Sequence, residues 1–180
     1  MKKTFLTLFL SMLSIIGIAQ TEPEFEMEPF VFNIADSTFN TPLPCENAYV
    51  KAKAGASLYL TGIGKVKTYY YLKGVASSLE IDNKVSNIVI NTGGKSPLQS
   101  LSILKLEVMS SKRRWKTGEE GSFTGASANE ENQVALKYKK FRANSVILST
   151  AGLEPGEYVL VITNMMTNSK SAKVYTFRIL

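Results

Sequence analysis

The chain has 180 residues, with 21 lysines and arginines against 15 aspartates and glutamates, and it contains no histidine. Histidine is the commonest general base and metal ligand, and its absence excludes catalytic sites of the Ser-His-Asp or Cys-His type. The single cysteine, Cys45, cannot form an internal disulfide, and it cannot bind structural zinc without further thiolates or imidazoles. We therefore expect neither a cofactor nor a metal site.

Residues 1–19 have the pattern of a secretory signal peptide. Two lysines precede an uncharged stretch, Thr4–Ile18, and the small residues Gly17 and Ala19 predict cleavage before Gln20. A bilayer span needs roughly 20 apolar residues and no later segment comes close, so we expect a released product without a transmembrane segment. The signal resembles those of Gram-negative envelope proteins, which implies a periplasmic, outer-membrane-associated or extracellular location.

Residues 20–47 differ in composition from residues 48–180. The first segment has six acidic residues and no basic one, whereas the second has nineteen basic and nine acidic residues. Four prolines and the lack of a sustained period predict an extended acidic arm or linker, in which EPFVFNI adds an edge strand. Residues 48–180 are long enough to form one domain with its own core.

In chain order, residues 48–180 show a succession of segments with the period of two that is typical of strands. Two strands are expected to fold at Gly62 and Gly64, and no stretch after the signal peptide shows helical spacing. Eight to ten strands without a helix favour an all-β antiparallel β-sandwich over a closed barrel or an α/β fold. The remaining predicted strands are SSLEID, SNIVIN, SLSILKLEV, NQVALKYKKF, NSVILS, EYVLVITN and AKVYTFRIL.

The segment from Leu153 through Gly156 to Tyr158 resembles the tyrosine corner of immunoglobulin-like and fibronectin-type-III-like sandwiches. This resemblance implies that Tyr158 begins the penultimate strand and that its hydroxyl bonds to upstream backbone. It concerns architecture and implies nothing about function. The body of the chain as a whole resembles a secreted bacterial β-sandwich protein.

Two further motifs have simple interpretations. Asn91–Ser96 ends in Gly-Lys-Ser, but Val89 stands where a phosphate-binding loop needs glycine and a β-patterned run follows Pro97, so a hairpin turn is expected.

The pairs Glu119-Glu120 and Glu130-Glu131 could bind a hard cation or take part in glycoside hydrolysis, but no aspartate-rich calcium pattern accompanies them. We expect solvated loop acids.

The strongest candidate site in the sequence is a cluster of basic residues. Two segments, Lys112–Lys116 and Lys137–Arg142, are expected to lie on neighbouring antiparallel strands and to form one cluster. Like charges that face each other in a sheet are unfavourable, so the loop glutamates, the acidic arm or an external anion should compensate them. The candidate anion-binding residues are Lys112, Arg113, Arg114, Trp115, Lys116, Lys137, Lys139, Lys140 and Arg142.

The leading functional hypothesis is a non-catalytic exported binding or scaffolding protein. Its expected partner is an anionic envelope polymer such as lipopolysaccharide or an acidic glycan, or an acidic protein, whereas nucleic acid is not expected for an exported chain. One alternative is an enzyme of unfamiliar type that hydrolyses a glycan or a peptide through carboxylates. A secreted effector or inhibitor is a further alternative with the same export signal.

Overall fold

The structure is a computed structural model that describes residues 22–122, 125–128, 132–163 and 171–180. The predicted signal peptide and its cleavage site lie outside these residues. The strands are β1 (Pro29–Asn33), β2 (Thr41–Pro42), β3 (Cys45–Ala54), β4 (Lys65–Lys73), β5 (Glu80–Ile81), β6 (Ser86–Asn91), β7 (Leu101–Lys105), β8 (Glu107–Val108), β9 (Lys112–Gly121), β10 (Gly125–Ala128), β11 (Gln133–Val134), β12 (Tyr138–Lys140), β13 (Ser145–Leu148), β14 (Gly156–Ile162) and β15 (Ser171–Ile179). Two short helices, α1 (Ala56–Thr61) and α2 (Pro97–Ser100), complete the described elements.

Two sheets form the predicted all-β antiparallel sandwich. The smaller sheet has the order β12-β13-β6-β1-β2, and the larger has the order β10-β9-β4-β3-β15-β14-β7-β11. Apart from a two-residue parallel pair between β5 and β15, the named strands pair antiparallel. Apolar side chains from both sheets fill the space between them, including Ile88, Ile90, Leu160, Phe177 and Ile179.

The larger sheet also curls upon itself. Strand β8 continues β7 after a single residue, Leu106, and pairs with β9 through Glu107 and Val108. Because β9 already pairs with β4, this contact closes the path β9-β4-β3-β15-β14-β7-β8 around a second apolar core. That core includes Trp115, Tyr70, Leu72, Leu106, Val159, Val161 and Val174. The larger sheet therefore has an inner face around this core and an outer face, part of which is covered by the smaller sheet.

The acidic segment predicted as an arm contributes β1, β2 and the first residues of β3 to the two sheets. EPFVFNI forms β1, but β1 lies between β6 and the two-residue β2 rather than at the sheet edge. The predicted boundary between residues 47 and 48 falls inside β3. Aromatic contacts explain the docking, because Phe32 and Phe39 pack edge-on against Phe141 at 5.3 and 6.3 Å.

The tyrosine corner has the hydrogen bond that the resemblance implied. The hydroxyl of Tyr158 donates to the backbone oxygen of Glu154 at 2.8 Å, and its ring stacks on Phe177 at 5.5 Å. Its strand, β14, is the penultimate strand of the described residues and begins at Gly156, while Leu153 packs against the core between the sheets. Burial raises the pKa of the Tyr158 hydroxyl.

The expectation of no helix was wrong at two places. The alternating segment ASLYLT forms α1 instead of a strand, and PLQS forms α2 after the turn at Gly93 and Gly94. No residue of α1 is buried. Because no core packs against this segment, its alternation of leucine and tyrosine does not favour a strand. Within the described part of the chain, neither helix is long and apolar enough to cross a membrane.

Candidate anion-binding face

The predicted basic cluster is divided between the two sheets. Lys112–Lys116 begins β9 in the larger sheet, whereas β12, which contains Lys139 and Lys140, pairs with β13 at an edge of the smaller sheet. The predicted pairing of these two segments is therefore wrong. Only Gln133–Val134, earlier in the same predicted strand, pairs with β7 as expected.

Within β9, alternation sends the basic cluster to two opposite faces. Arg113 and Trp115 point into the core of the closed sheet, where Trp115 stacks on Tyr70 at 5.0 Å. Lys112, Arg114 and Lys116 share the outer face of the sheet. Arg113 and Trp115 are thus removed from the candidate binding surface by burial.

Arg113 is the centre of a buried charged network, and its side chain is only 1% exposed. One terminal nitrogen donates to both carboxylate oxygens of Glu46 at 2.8 and 2.9 Å, and the other donates to Glu157 at 3.3 Å. The guanidinium also donates to the backbone oxygens of Lys73 and Gly74 at 3.1 and 3.3 Å. Glu46 belongs to the predicted acidic arm, so one of the three compensating partners weighed for the cluster is present here, inside the sheet.

The outer face of β3, β4 and β9 carries a continuous layer of basic and aromatic side chains, which we call the basic face. Residues directly opposite each other in antiparallel strands share a face, and the registers Tyr49↔Tyr71, Lys51↔Tyr69, Tyr71↔Arg114 and Tyr69↔Lys116 define it. Its members are Tyr49, Lys51, Lys53, Lys65, Lys67, Tyr69, Tyr71, Lys73, Lys112, Arg114 and Lys116.

The tyrosine rings organise the charges of the basic face. The Arg114 guanidinium lies 4.4 Å from the Tyr69 ring centre, and the Lys112 ammonium lies 4.5 Å from that of Tyr71. The Lys51 ammonium lies 5.6 Å from the Tyr49 ring, which itself stacks on Tyr71 at 5.6 Å. Cation–π contacts of this kind hold long basic side chains against the sheet. Tyr71, whose ring contacts Tyr49 and Lys112, is completely buried.

Two carboxylates offset part of this positive charge. An irregularity in β9 opposite Thr68 and Tyr69 brings Glu119 opposite Lys67 on the basic face. Glu119 pairs with Lys116 at 2.8 Å and with Lys65 at 2.5 Å, and these hydrogen bonds lower its pKa to about 2. It is therefore ionised at neutral pH.

Glu107 on β8 is the second carboxylate beside the basic face. The Arg114 guanidinium donates to both of its oxygens, at 2.7 and 2.8 Å, and these bonds lower the pKa of Glu107 and raise that of Arg114. Among the described residues, no salt bridge joins Lys51, Lys53 or Lys73 to a carboxylate. The basic face thus has eight basic side chains against two described carboxylates.

A cavity of about 430 Å³ lies at the end of the basic face where β3 leads into α1. Its lining includes the lysines Lys53, Lys65 and Lys67 and the ring of Tyr69. The cavity is open to solvent.

The other half of the predicted cluster remains exposed on and around β12. Lys137, Lys139, Lys140 and Arg142 have no ion pair with a described residue, and the Arg142 guanidinium lies 5.4 Å from the Phe141 ring. Glu130 and Glu131 lie outside the described residues. Across the ranges that the structure describes, no group of three or more histidine, cysteine, aspartate or glutamate side chains could hold a metal ion.

Sequence reasoning missed five of the eight basic residues of the basic face, namely Lys51, Lys53, Lys65, Lys67 and Lys73. A signal for them exists, because KAKA and KVKTYYYLK place lysines and tyrosines at alternate positions of adjacent segments. Alternation of that kind predicts a shared face once the two strands are paired.

No family model, no curated protein and no solved structure matches the chain.

Proposed function

We propose that this protein is a non-catalytic exported binding protein and that its basic face binds an anionic molecule of the bacterial envelope. The observation that carries the proposal is the layer of eight basic side chains and three tyrosines on β3, β4 and β9 beside only two described carboxylates. The lack of histidine in the chain supports a role in binding rather than in acid–base catalysis.

Like charges face each other directly within the basic face. Lys53 is opposite Lys67 across β3 and β4, and Lys73 is opposite Lys112 across β4 and β9. Such pairs destabilise a sheet, and among the described residues Lys67 has only a distant carboxylate, Glu119 at 3.9 Å, which it shares with two other lysines. A bound anion would offset this repulsion, which supports a binding function for the lysines.

The shape and chemistry of the basic face suit an extended ligand with several negative groups. The lysines run along two strands from Lys73 to Lys65, a distance of eight residues or about 27 Å at the usual rise of a strand. Tyrosine combines an apolar ring with a polar hydroxyl, so Tyr49 and Tyr69 could pack against sugar rings between charged groups.

The proposal is tested by replacing three exposed lysines of the basic face with glutamine, as Lys51→Gln/Lys53→Gln/Lys67→Gln. A matched control, Lys137→Gln/Lys139→Gln/Lys140→Gln, makes the same change in net charge at the edge of the smaller sheet. Affinity for heparin, used as a soluble polyanion, is measured by calorimetry over a series of salt concentrations.

We expect the basic-face variant to bind about tenfold more weakly or worse, because each exposed ion pair contributes up to about 1 kcal/mol. Its dependence on salt should also be shallower, while the control retains the original affinity. An equal loss in both variants would show that net charge alone governs binding and would refute the proposal. Binding that does not change with salt would refute it as well.

A further inference from the structure

The connection between β3 and β4 exposes an apolar surface next to the basic face. Tyr59 and Leu60 on α1 are 80% and 84% exposed, and Ile63 in the turn that follows is 52% exposed. We call these three side chains the apolar tip. Exposure of three large apolar side chains within five residues of the chain is unfavourable in water, and exposed apolar surface of this kind commonly marks a surface that another phase or molecule covers.

The apolar tip is held in a defined position. Gly62 ends α1 with a φ of 69°, a left-handed conformation that glycine adopts without strain. A Cβ atom on Gly64 would lie only 2.9 Å from Leu58, so glycine is needed for the chain to pass this close. The Ser122 hydroxyl accepts a hydrogen bond from the Gly64 amide at 3.1 Å, and the Ser122 amide donates to the Gly64 oxygen at 3.0 Å.

Lysines surround the base of the apolar tip. Lys53 lies at the end of β3 that leads into α1, and Lys65 and Lys67 lie at the start of β4 that leaves it. All three line the same cavity as Gly55 and Gly64 at the two ends of the connection. Apolar side chains at the end of a projection and lysines behind them form the arrangement by which proteins bind to the surface of an anionic bilayer.

We propose that the apolar tip inserts into a lipid layer whose phosphate groups bind the lysines of the basic face. This inference rests on the proposed function and names the ligand as lipid-borne phosphate. Three side chains are too few for a stable protein interface, which takes about 800 Å² from each partner. An interfacial anchor needs only a few, and tyrosine is enriched at the boundary between hydrocarbon and headgroups.

The test measures co-sedimentation with vesicles of phosphatidylglycerol and phosphatidylcholine, and with vesicles of phosphatidylcholine alone. The tip variant is Tyr59→Ser/Leu60→Ser/Ile63→Ser. Its matched control, Phe25→Ser/Leu98→Ser/Val85→Ser, replaces an aromatic and two aliphatic side chains that are also more than half exposed, outside the tip and the basic face. Heparin binding of every variant is measured in parallel.

We expect the tip variant to bind anionic vesicles at least about tenfold more weakly, because the three apolar side chains that the lipid layer would bury are lost. It should bind heparin with unchanged affinity, and the control should bind both ligands as the unmodified protein does. If the tip variant binds anionic vesicles normally, or loses heparin binding as well, insertion of the tip is refuted. If instead the basic-face variant binds heparin normally, the proposed function fails.

A second variant keeps the test valid if the triple substitution disturbs α1. In Leu60→Trp, the new indole should be quenched by brominated lipid in anionic vesicles, whereas the buried Trp115 of the unmodified protein should not. The absence of any additional quenching would show that position 60 stays in water and would overturn the inference. Vesicles of phosphatidylcholine alone should bind weakly, and equal binding to both kinds of vesicle would also overturn it.

Discussion

Replacing Arg113 with methionine removes the buried guanidinium that joins four strands of the closed sheet. In the unmodified protein this group donates to Glu46 at 2.8 and 2.9 Å, to Glu157 at 3.3 Å and to two backbone oxygens. After the substitution, the partners of the Glu157 carboxylate, 5% exposed, among the described residues are the Ser77 amide at 2.8 Å and the Arg178 guanidinium at 3.7 Å. The buried negative charge of Glu157 thus loses the nearer of its two cationic partners, Arg113.

Removal of one partner of a buried ion pair destabilises a protein by about 3–5 kcal/mol. For a domain of this size, 1 kcal/mol corresponds to roughly 2–4 °C in Tm, so Arg113→Met should lower the Tm by about 6–20 °C. The double variant Arg113→Met/Glu157→Gln removes the uncompensated charge as well, and its loss should be smaller than the sum of the two single losses. Thermal unfolding measures the Tm, and urea unfolding measures the free energy of unfolding.

The same variants test whether Arg113 contributes to ligand binding. Because its side chain lies inside the closed sheet, Arg113→Met should bind heparin normally at temperatures where it is folded. A loss below about 1 kcal/mol in unfolding free energy would refute the buried network. Reduced heparin affinity of the folded variant would instead show that Arg113 contributes to binding, as the sequence predicted.

Three further outcomes are expected. Glu119→Gln removes an ionised carboxylate from the basic face and should raise affinity for anionic vesicles by about fivefold, as measured by co-sedimentation. Tyr158→Phe removes the 2.8 Å hydrogen bond to Glu154 and should reduce the free energy of unfolding in urea by about 1 kcal/mol. Burial raises the pKa of Tyr175 from 10.0 to about 12, so its stabilising effect is complete below pH 10 and is lost as the pH rises through 12. The fall in Tm over that pH range should be smaller in Tyr175→Phe.

The strands that the sequence predicted correctly are those with a buried face. In β14 and β15, apolar residues recur at positions that the two cores require, and both strands lie where the pattern placed them. The segment that became α1 has a similar alternation but no buried residue, so burial does not enforce its period. Local pattern therefore predicts strands where tertiary packing supports it, and fails at the exposed connection.

The candidate site was predicted only in part, because pairing between strands is not a local property. The bases of β9 were recognised, but their neighbour is β4, which precedes them by about forty residues, and not the basic segment that follows the loop. The displacement of Glu119 onto the basic face depends on an irregularity opposite Thr68 and Tyr69. Neither the partner of β9 nor this irregularity has a signal in the charge pattern.

The pleat of β9 separates two uses of positive charge in adjacent residues. Arg113 points inward, where Glu46 and Glu157 neutralise it, and it links β9 to the strands that carry those glutamates. Arg114 points outward, where the ring of Tyr69 and the carboxylate of Glu107 hold it at the surface. Because Glu107 belongs to the strand that closes the sheet, the outer ion pair also joins β8 to β9. The closure that buries the inner charge thus fixes the backbone on which the basic face is displayed.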